Sequence, residues 1–450
     1  MLVKGFKGKN IFGYLNFDIS FHKDVSFLIG MNGSGKTTAL KLMSALITAS
    51  FKDLLKISFD NISITLEDRG KAVKIYCKTK GTNKLLGVTG VSTQIIFDAP
   101  SEEELSFYNH HDEKIDEMVQ DLIRQNVNSP VIERISKIKA PIFLGLDRRA
   151  NDIKNGLNDY FFERQLWLTK KKSTNAAKRL ITGSLGTSLM ETELLVQNTY
   201  RRIRELEQAQ SHKLRDSILM SAFQYHGLDL DTTSNDEINN WREKQGLVQR
   251  RNEIKDALAN IGLKNSSVSD EVDSFFEKVN LLFEELQTFN KGLTVEWLLN
   301  KAQVDRMAKI VEIIDEHNTK LEKLFDPINN FINTINVFYK DSNKQLKVNA
   351  VGQLLVMRPD AKQCTIEGLS SGERQLLIIF AHAFFNSSGG KSVFIVDEPE
   401  LSLHLGWQEK FTETIFSIDK NTQFILATHS PEIVSNHVDK AIFCRQNEEV

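Results

Sequence analysis

Cysteine is scarce and scattered: Cys77, Cys364 and Cys444 are the three in 450 residues. They form neither a CxxC pair nor a disulfide framework, which points to a reducing compartment and a cytoplasmic location. Charge of one sign is not in excess either, since 57 basic residues face 59 acidic ones for a formal charge of −2. No whole-molecule field draws the chain to nucleic acid or to a membrane, so any DNA contact must be a local patch. Long apolar runs are missing. The longest, Leu376 to Phe385, is broken by His382 and too short to span a bilayer, and the opening MLVKGFKGKN has no apolar segment, so no membrane role is expected. Residues 155–340 hold no cysteine and no His/Asp/Glu cluster with metal-ligand spacing; a metal nuclease hidden there is not expected.

What is present is enough apolar residue, 41%, for a large core and two or three structural units. The first hundred residues read as strands (YLNFDISF, DVSFLIG, ISFDNISITLE, KAVKIYCK) around one early helix, KTTALKLMSALITASF. A charged helical stretch follows and ends in the apolar strand APIFLG. From about 155 to 340 the chain is mostly polar helix. Met307, Val311, Ile314, Asn318, Leu321, Phe325, Ile328, Ile332 and Ile335 keep alternating spacings of 4 and 3, the seam of a coiled coil or one face of a helical bundle. Pro327 inside that seam predicts a kink or break. Strand and helix alternation then returns in KQLKV, QLLVMRP, GERQLLIIFAHAFF, KSVFIVDE, TQFILATHS and DKAIFC. The fold class is therefore α/β, one domain split by a long helical insertion: an N-terminal lobe over 1–154, inserted helices over 155–342 and a C-terminal lobe over 343–450.

Five motifs occur in order. Gly30-Met31-Asn32-Gly33-Ser34-Gly35-Lys36-Thr37 follows an apolar strand and opens a helix, the setting of a phosphate-binding Walker A loop. Its backbone N–H groups from Asn32 to Thr38 would wrap phosphate, Lys36 would reach the β/γ-phosphates of ATP, and the Thr37 hydroxyl would bind Mg²⁺. Leu369-Ser370-Ser371-Gly372-Glu373 is a second helix N-terminus with small residues clearing its amides; Ser370 to Glu373 is also a capping box. Val393-Phe394-Ile395-Val396-Asp397-Glu398 is a buried strand ending in two carboxylates, Asp397 for Mg²⁺ and Glu398 to polarise the attacking water. Pro399-Glu400-Leu401-Ser402-Leu403-His404 comes next. Then Thr428-His429-Ser430 closes a strand, where the His429 imidazole could bond a γ-phosphate.

This ordered set resembles the ABC ATPase superfamily: Walker A, LSGGE-type signature, Walker B, D-loop and switch histidine. More than 330 residues separate Lys36 from Ser370. That gap resembles the SMC, RecF and OLD-like ATPases with inserted helical arms, and the wording DEPELSLH resembles defence ATPases including PtuA of Septu systems, some of which accompany retrons. The resemblance implies a homodimer or higher homo-oligomer, with each ATP between Walker A of one copy and Ser370-Ser371-Gly372 of the other. It also implies a separate HNH nuclease partner of the PtuB kind. With no cysteine in the insertion, no zinc hook is expected, and the 21 residues after His429 leave no Toprim nuclease expected in the chain.

Two departures bear on turnover. The strand entering the insertion, IFLGLDRR, has no glutamine where the family couples Mg²⁺ to its arm, so Asp147 or Arg148 takes that place or the coupling differs. Ser371 stands for the second glycine of the signature. Candidate DNA patches are Arg148-Arg149, Lys170 to Lys172 with Lys178-Arg179, and Arg201-Arg202 with Arg204. Two rival roles share the site: a RecF-like repair ATPase, and a nucleotide-sensing scaffold that binds ATP with little turnover.

Overall fold

A computed structural model describes residues 1–99, 112–145, 184–222, 245–260, 266–288, 295–385, 392–418 and 421–444. Its strands are β1 (Leu2–Ile11), β2 (Leu15–Ser20), β3 (Val25–Ile29), β4 (Asn61–Asp68), β5 (Lys71–Lys80), β6 (Asn83–Val88) and β7 (Ile95–Asp98). They continue with β8 (Ile142–Leu144), β9 (Gln345–Val348), β10 (Leu354–Met357), β11 (Gln363–Thr365), β12 (Ser392–Asp397), β13 (Thr422–Thr428) and β14 (Ala441–Phe443). Asp147, Arg148, Arg149, Lys170 to Lys172, Lys178 and Arg179 lie outside the described residues.

Two sheets sandwich the early helix. The first is antiparallel, in the order β2-β1-β4-β5-β6-β7. Its strands alternate as a half-buried sheet requires: Val73, Ile75 and Cys77 of β5 face the core while Lys74 and Lys78 face out. The second is wholly parallel, in the order β14-β3-β13-β12-β8. β12 and β13 are buried at every residue, which is why each carries an apolar run of four, Val393 to Val396 and Phe424 to Ala427. The helix Lys36–Thr48 meets β4 and β5 on one side and β12 on the other, so Ala39, Leu40, Leu42, Met43, Ala45 and Leu46 are all buried around its circumference.

The parallel sheet draws β3 from the start of the chain, β8 from its middle and β12 to β14 from its end. This is the expected split α/β head, with the described helices of the insertion between β8 and β9. Gln423 of β13 ties the two sheets together: it accepts from Val3 N at 2.7 Å and donates to Val3 O at 2.8 Å and to His22 O at 2.6 Å. Lys84 of β6 is buried in the shared core without a carboxylate. It donates to Leu54 O and, at 2.8 Å, to Ile57 O, at the end of the helix Phe51–Lys56, and lies over the Phe59 ring. Burial pulls the Lys84 ammonium down to about 8 and pushes the neighbouring Cys77 thiol up to about 12, an inert sulfur.

By packing the chain forms two units, 1–197 with 331–450, and 198–330. In the second, Leu214, Ile254, Ala257, Phe276, Val311 and Ile314 make a helical core. Arg250 pairs with Asp315 and Glu253, and Asp273 with Arg251 and Lys255, at its surface.

Of the kink or break expected at Pro327, the break does not occur: the helix Val295–Tyr339 runs through it. Pro327 and Lys323, four residues earlier, are both exposed, so the carbonyl left without its helical donor is open to water. Along the seam Val311, Ile314, Ile328 and Ile335 are buried, but Asn318 is exposed and His317 takes the inward position. Burial holds the His317 imidazole below its usual range. Of the basic patches, Arg201, Arg202 and Arg204 are described; all are exposed, and Arg204 is paired with Glu207 at 2.6 Å. No helix among the described residues is long and apolar enough to cross a membrane.

Candidate nucleotide site

Parallel strands deliver their C-terminal ends to one edge, where α/β sheets hold ligands. Ile29, the last residue of β3, pairs with Thr428, the last of β13, and Asp397, the last of β12, pairs with Ala427. The chain therefore leaves three neighbouring strands at one level into Gly30, Glu398 and His429. Three of the five motifs recognised in the sequence meet there.

The loop after β3 is shaped for phosphate. Gly33 and Gly35 both have φ of +83°, the left-handed region that favours glycine. A Cβ on Gly35 would stand 2.8 Å from both Leu15 and Phe17, whereas one on Gly33 would meet nothing within 4 Å, so the loop is closed towards the core and open above. Asn32 is exposed, Ser34 half-buried, and the Ser34 Oγ is a buried hydroxyl with no partner. Lys36 is buried and donates to Gly30 O at 2.7 Å and Met31 O at 3.2 Å, leaving one of its three protons for another acceptor. Thr37 and Thr38 sit half-buried in the first helical turn. An anion above Gly33 would meet the helix N-terminus, the Lys36 ammonium and the unsatisfied Ser34 hydroxyl, so the residues fit a phosphate. Beneath the loop lies Cys444, whose thiol burial raises to about 11 despite nearby Lys36.

Asp397 is fully buried at the end of β12. The next amide, Glu398 N, extends the ladder by donating to Ala427 O at 2.8 Å, and then φ of Glu398 turns to +47°. A non-glycine residue there costs about 1–2 kcal/mol, and the two carboxylates differ in burial, Asp397 being buried and Glu398 half-buried. Asp397 has the chemistry of a Mg²⁺ ligand; Glu398, half-buried, is open to water.

The signature opens another element, the helix Ser371–Phe385. Ser370 and Ser371 are exposed, and the hydrogen bonds of Ser370 go to Glu373 and Arg374. The capping box is real: Ser370 N donates to Glu373 Oε2 at 2.7 Å and Glu373 N to Ser370 Oγ at 3.4 Å. Glu373 is otherwise buried and receives Lys344 Nζ at 2.8 Å and Ser342 Oγ at 2.8 Å. Burial pushes its carboxyl up, but these bonds outweigh it and hold it below the usual range. The Tyr339 hydroxyl, at the last residue of the long helix, donates to Glu373 O at 2.9 Å. Phe331 and Phe338 of that helix pack on Phe385 and Phe380 of the signature helix Ser371–Phe385. Gly372 is buried against the D-loop: a Cβ there would stand 2.4 Å from Ser402 O.

Several functional partners escaped the sequence reading because nothing local marks them. Glu400 is buried, and its Oε1 accepts from His429 N at 2.8 Å and lies 3.0 Å from His429 Nδ1. Its position in the wording DEPE was visible; its pairing with a residue on another strand was not. Ser430 donates to Gln408 Oε1 at 2.7 Å or Glu432 Oε2 at 2.8 Å, fixing the loop just past His429. Trp407 Nε1 donates to Asp341 Oδ2 at 3.0 Å.

The chain is similar to several known proteins. Curated relatives include the probable ATPase of retron Vc95 from Vibrio cholerae serotype O1 biovar El Tor, 26% identical over 208 residues, 40% of each chain. Another is the probable ATPase of retron Ec83 from Escherichia coli, 22% identical over 142 residues, 27% of this chain and 26% of that one. The chain thus matches less than half the length of either relative. Among solved structures, the Smc head with an extended coiled coil bound to the C-terminal domain of ScpA, from Pyrococcus furiosus, aligns over 99% of this chain and 94% of its own at 13% identity, TM-score 0.42. The SMC head domain from Thermotoga maritima aligns over 98% and 94% at 10% identity, TM-score 0.38. The AAA ATPase domain family matches residues 1–434, nearly the whole chain. The chain belongs to the AAA ATPase domain family.

Proposed function

We propose that the chain binds and hydrolyses ATP as the regulatory subunit of a bacterial anti-phage defence complex. The observation that carries the ATPase reading is the shared edge: Gly30, Glu398 and His429 leave three paired strands at one level. Loop amides from Asn32 to Thr38 and the Lys36 ammonium hold the β/γ-phosphates, and Thr37 with Asp397 holds Mg²⁺. When bound, the ion neutralises charge on the phosphate oxygens. Glu398 polarises the attacking water and His429 bonds the γ-phosphate. Ser370, Ser371 and Gly372 belong to a second phosphate clamp whose serines are exposed on this chain, which supports a second copy supplying them across a head-to-tail dimer.

The names of the retron ATPase relatives and the PtuA-like wording DEPELSLH support a defence role. In it, ATP-dependent closing and opening of the pair controls a separate HNH nuclease subunit of the PtuB kind acting on DNA. Phosphate release by the purified chain with ATP and Mg²⁺ tests the first step. Glu398→Gln is expected to retain ATP, stay dimeric and lose turnover about a hundredfold or more. Turnover at the parental rate in that variant removes the role given to Glu398. Co-purification of an HNH protein with the chain tests the partner, and recovery of a recombination protein instead favours the repair role.

A further inference from the structure

We propose that Glu400 is a positioning residue that sets the orientation and proton of His429. Glu400 lies three residues past Asp397, inside the D-loop, and is 6% exposed. One of its oxygens, Oε1, meets His429 twice, at the backbone N (2.8 Å) and at the ring Nδ1 (3.0 Å). The other, Oε2, is buried with no partner. A buried carboxylate half satisfied in this way is a poor stabiliser, and an apolar residue would pack there at lower cost. Among the described residues the hydrogen-bond and ion-pair partner of its carboxylate is the histidine, whose side chain is 48% exposed and so remains reachable.

The loop around the histidine is fixed on both sides. Thr428 is the fully buried end of β13, and Ser430 N donates to Thr428 Oγ1 at 3.0 Å while Ser430 Oγ reaches Gln408. Ring rotation about the His429 side-chain bonds is the freedom that remains. A carboxylate at Nδ1 removes it and makes Nδ1 the protonated nitrogen, because an unprotonated Nδ1 would set a lone pair against a carboxylate oxygen. Nε2, across the ring from Nδ1, is thereby turned away from Glu400. A neutral imidazole free in water prefers the opposite tautomer, so the assignment predicts something the bare residue would not do.

The inference rests on the ATPase reading for its kinetic arm but not for its spectroscopic one. Wild type, Glu400→Ala, His429→Ala and the double variant are compared, each checked for folding by its melting curve. Phosphate release is expected to show kcat lowered about tenfold to a hundredfold by Glu400→Ala, with KM for ATP within about twofold. In the His429→Ala background the same substitution is expected to have no further effect. Histidine ¹⁵N spectra, with the His429 signal identified by its loss in His429→Ala, are expected to show the Nδ1–H tautomer in wild type and Nε2–H in Glu400→Ala. An equal kinetic loss in the His429→Ala background, or an unchanged tautomer, overturns the proposal. Absence of phosphate release from wild type would instead count against the ATPase reading and leave the tautomer to decide the role of Glu400.

Discussion

Gly372 of the signature and Ser402 of the D-loop touch backbone to backbone, so closely that any side chain on Gly372 would stand 2.4 Å from the Ser402 carbonyl oxygen. Ser402 itself is held at φ +62°. The two motifs are thus one rigid piece within a single chain. Gly372→Ala must push the signature helix from the D-loop, and is expected to cost about 2 kcal/mol of stability and most of the ATP turnover. Urea denaturation and phosphate release check it; an alanine variant unchanged in both would show that the D-loop yields freely.

Glu373 makes the acid limb of stability informative. Its carboxyl is held below the ordinary 4.5 in the folded chain. The unfolded chain therefore binds the proton first as pH falls, and the stabilisation, complete above pH 4.5, is lost as pH drops through the folded value. Glu373→Gln is expected to lower stability at neutral pH by about 2 kcal/mol and to flatten the decline below pH 4.5. Denaturation at stepped pH measures both.

Lys84 works in the opposite direction. Burial lowers its folded value to about 8 from 10.5, so between those limits the unfolded chain holds a proton that the folded chain has released. Stability from this group rises with pH across that window, by on the order of 3 kcal/mol in full. Wild type should gain on Lys84→Met by that amount between pH 8 and 10.5. Parallel curves for the two proteins would show that Lys84 keeps its proton when buried as readily as in the unfolded chain.

Gln423 carries three hydrogen bonds between the sheets. Gln423→Leu keeps the volume and strands the backbone groups of Val3 and the carbonyl of His22. A loss of about 3 kcal/mol is expected, at about 1 kcal/mol for each bond, read from guanidinium denaturation. Val3 N should also exchange its hydrogen faster in the variant.

Motifs with fixed spacing were legible in the sequence because phosphate chemistry demands them at fixed intervals: the Gly30 to Thr37 loop, the Ser370 cap, and the Asp397-Glu398 strand end. The buried strands β12 and β13 were legible because both faces are covered and each carries a run of four apolar residues, Val393 to Val396 and Phe424 to Ala427. β1 was not, since Lys4, Lys7 and Lys9 alternate with glycine and few apolar residues mark its inner face. Glu400, Gln423 and Lys84 were invisible for another reason: each is a single polar residue whose partners are distant in the chain, and no local period announces it. Asn318 fitted a heptad count, but an α-helix turns every 3.6 residues, and the drift brings His317 inward.

The long helix meets the catalytic lobe through its last turns, where Phe331, Phe338 and the Tyr339 hydroxyl bind the signature helix. Three aromatic side chains and the Glu373 backbone thus fasten the end of that helix to the helix that begins at the signature, so a substitution at Phe331, Phe338 or Tyr339 acts on the start of that helix from behind.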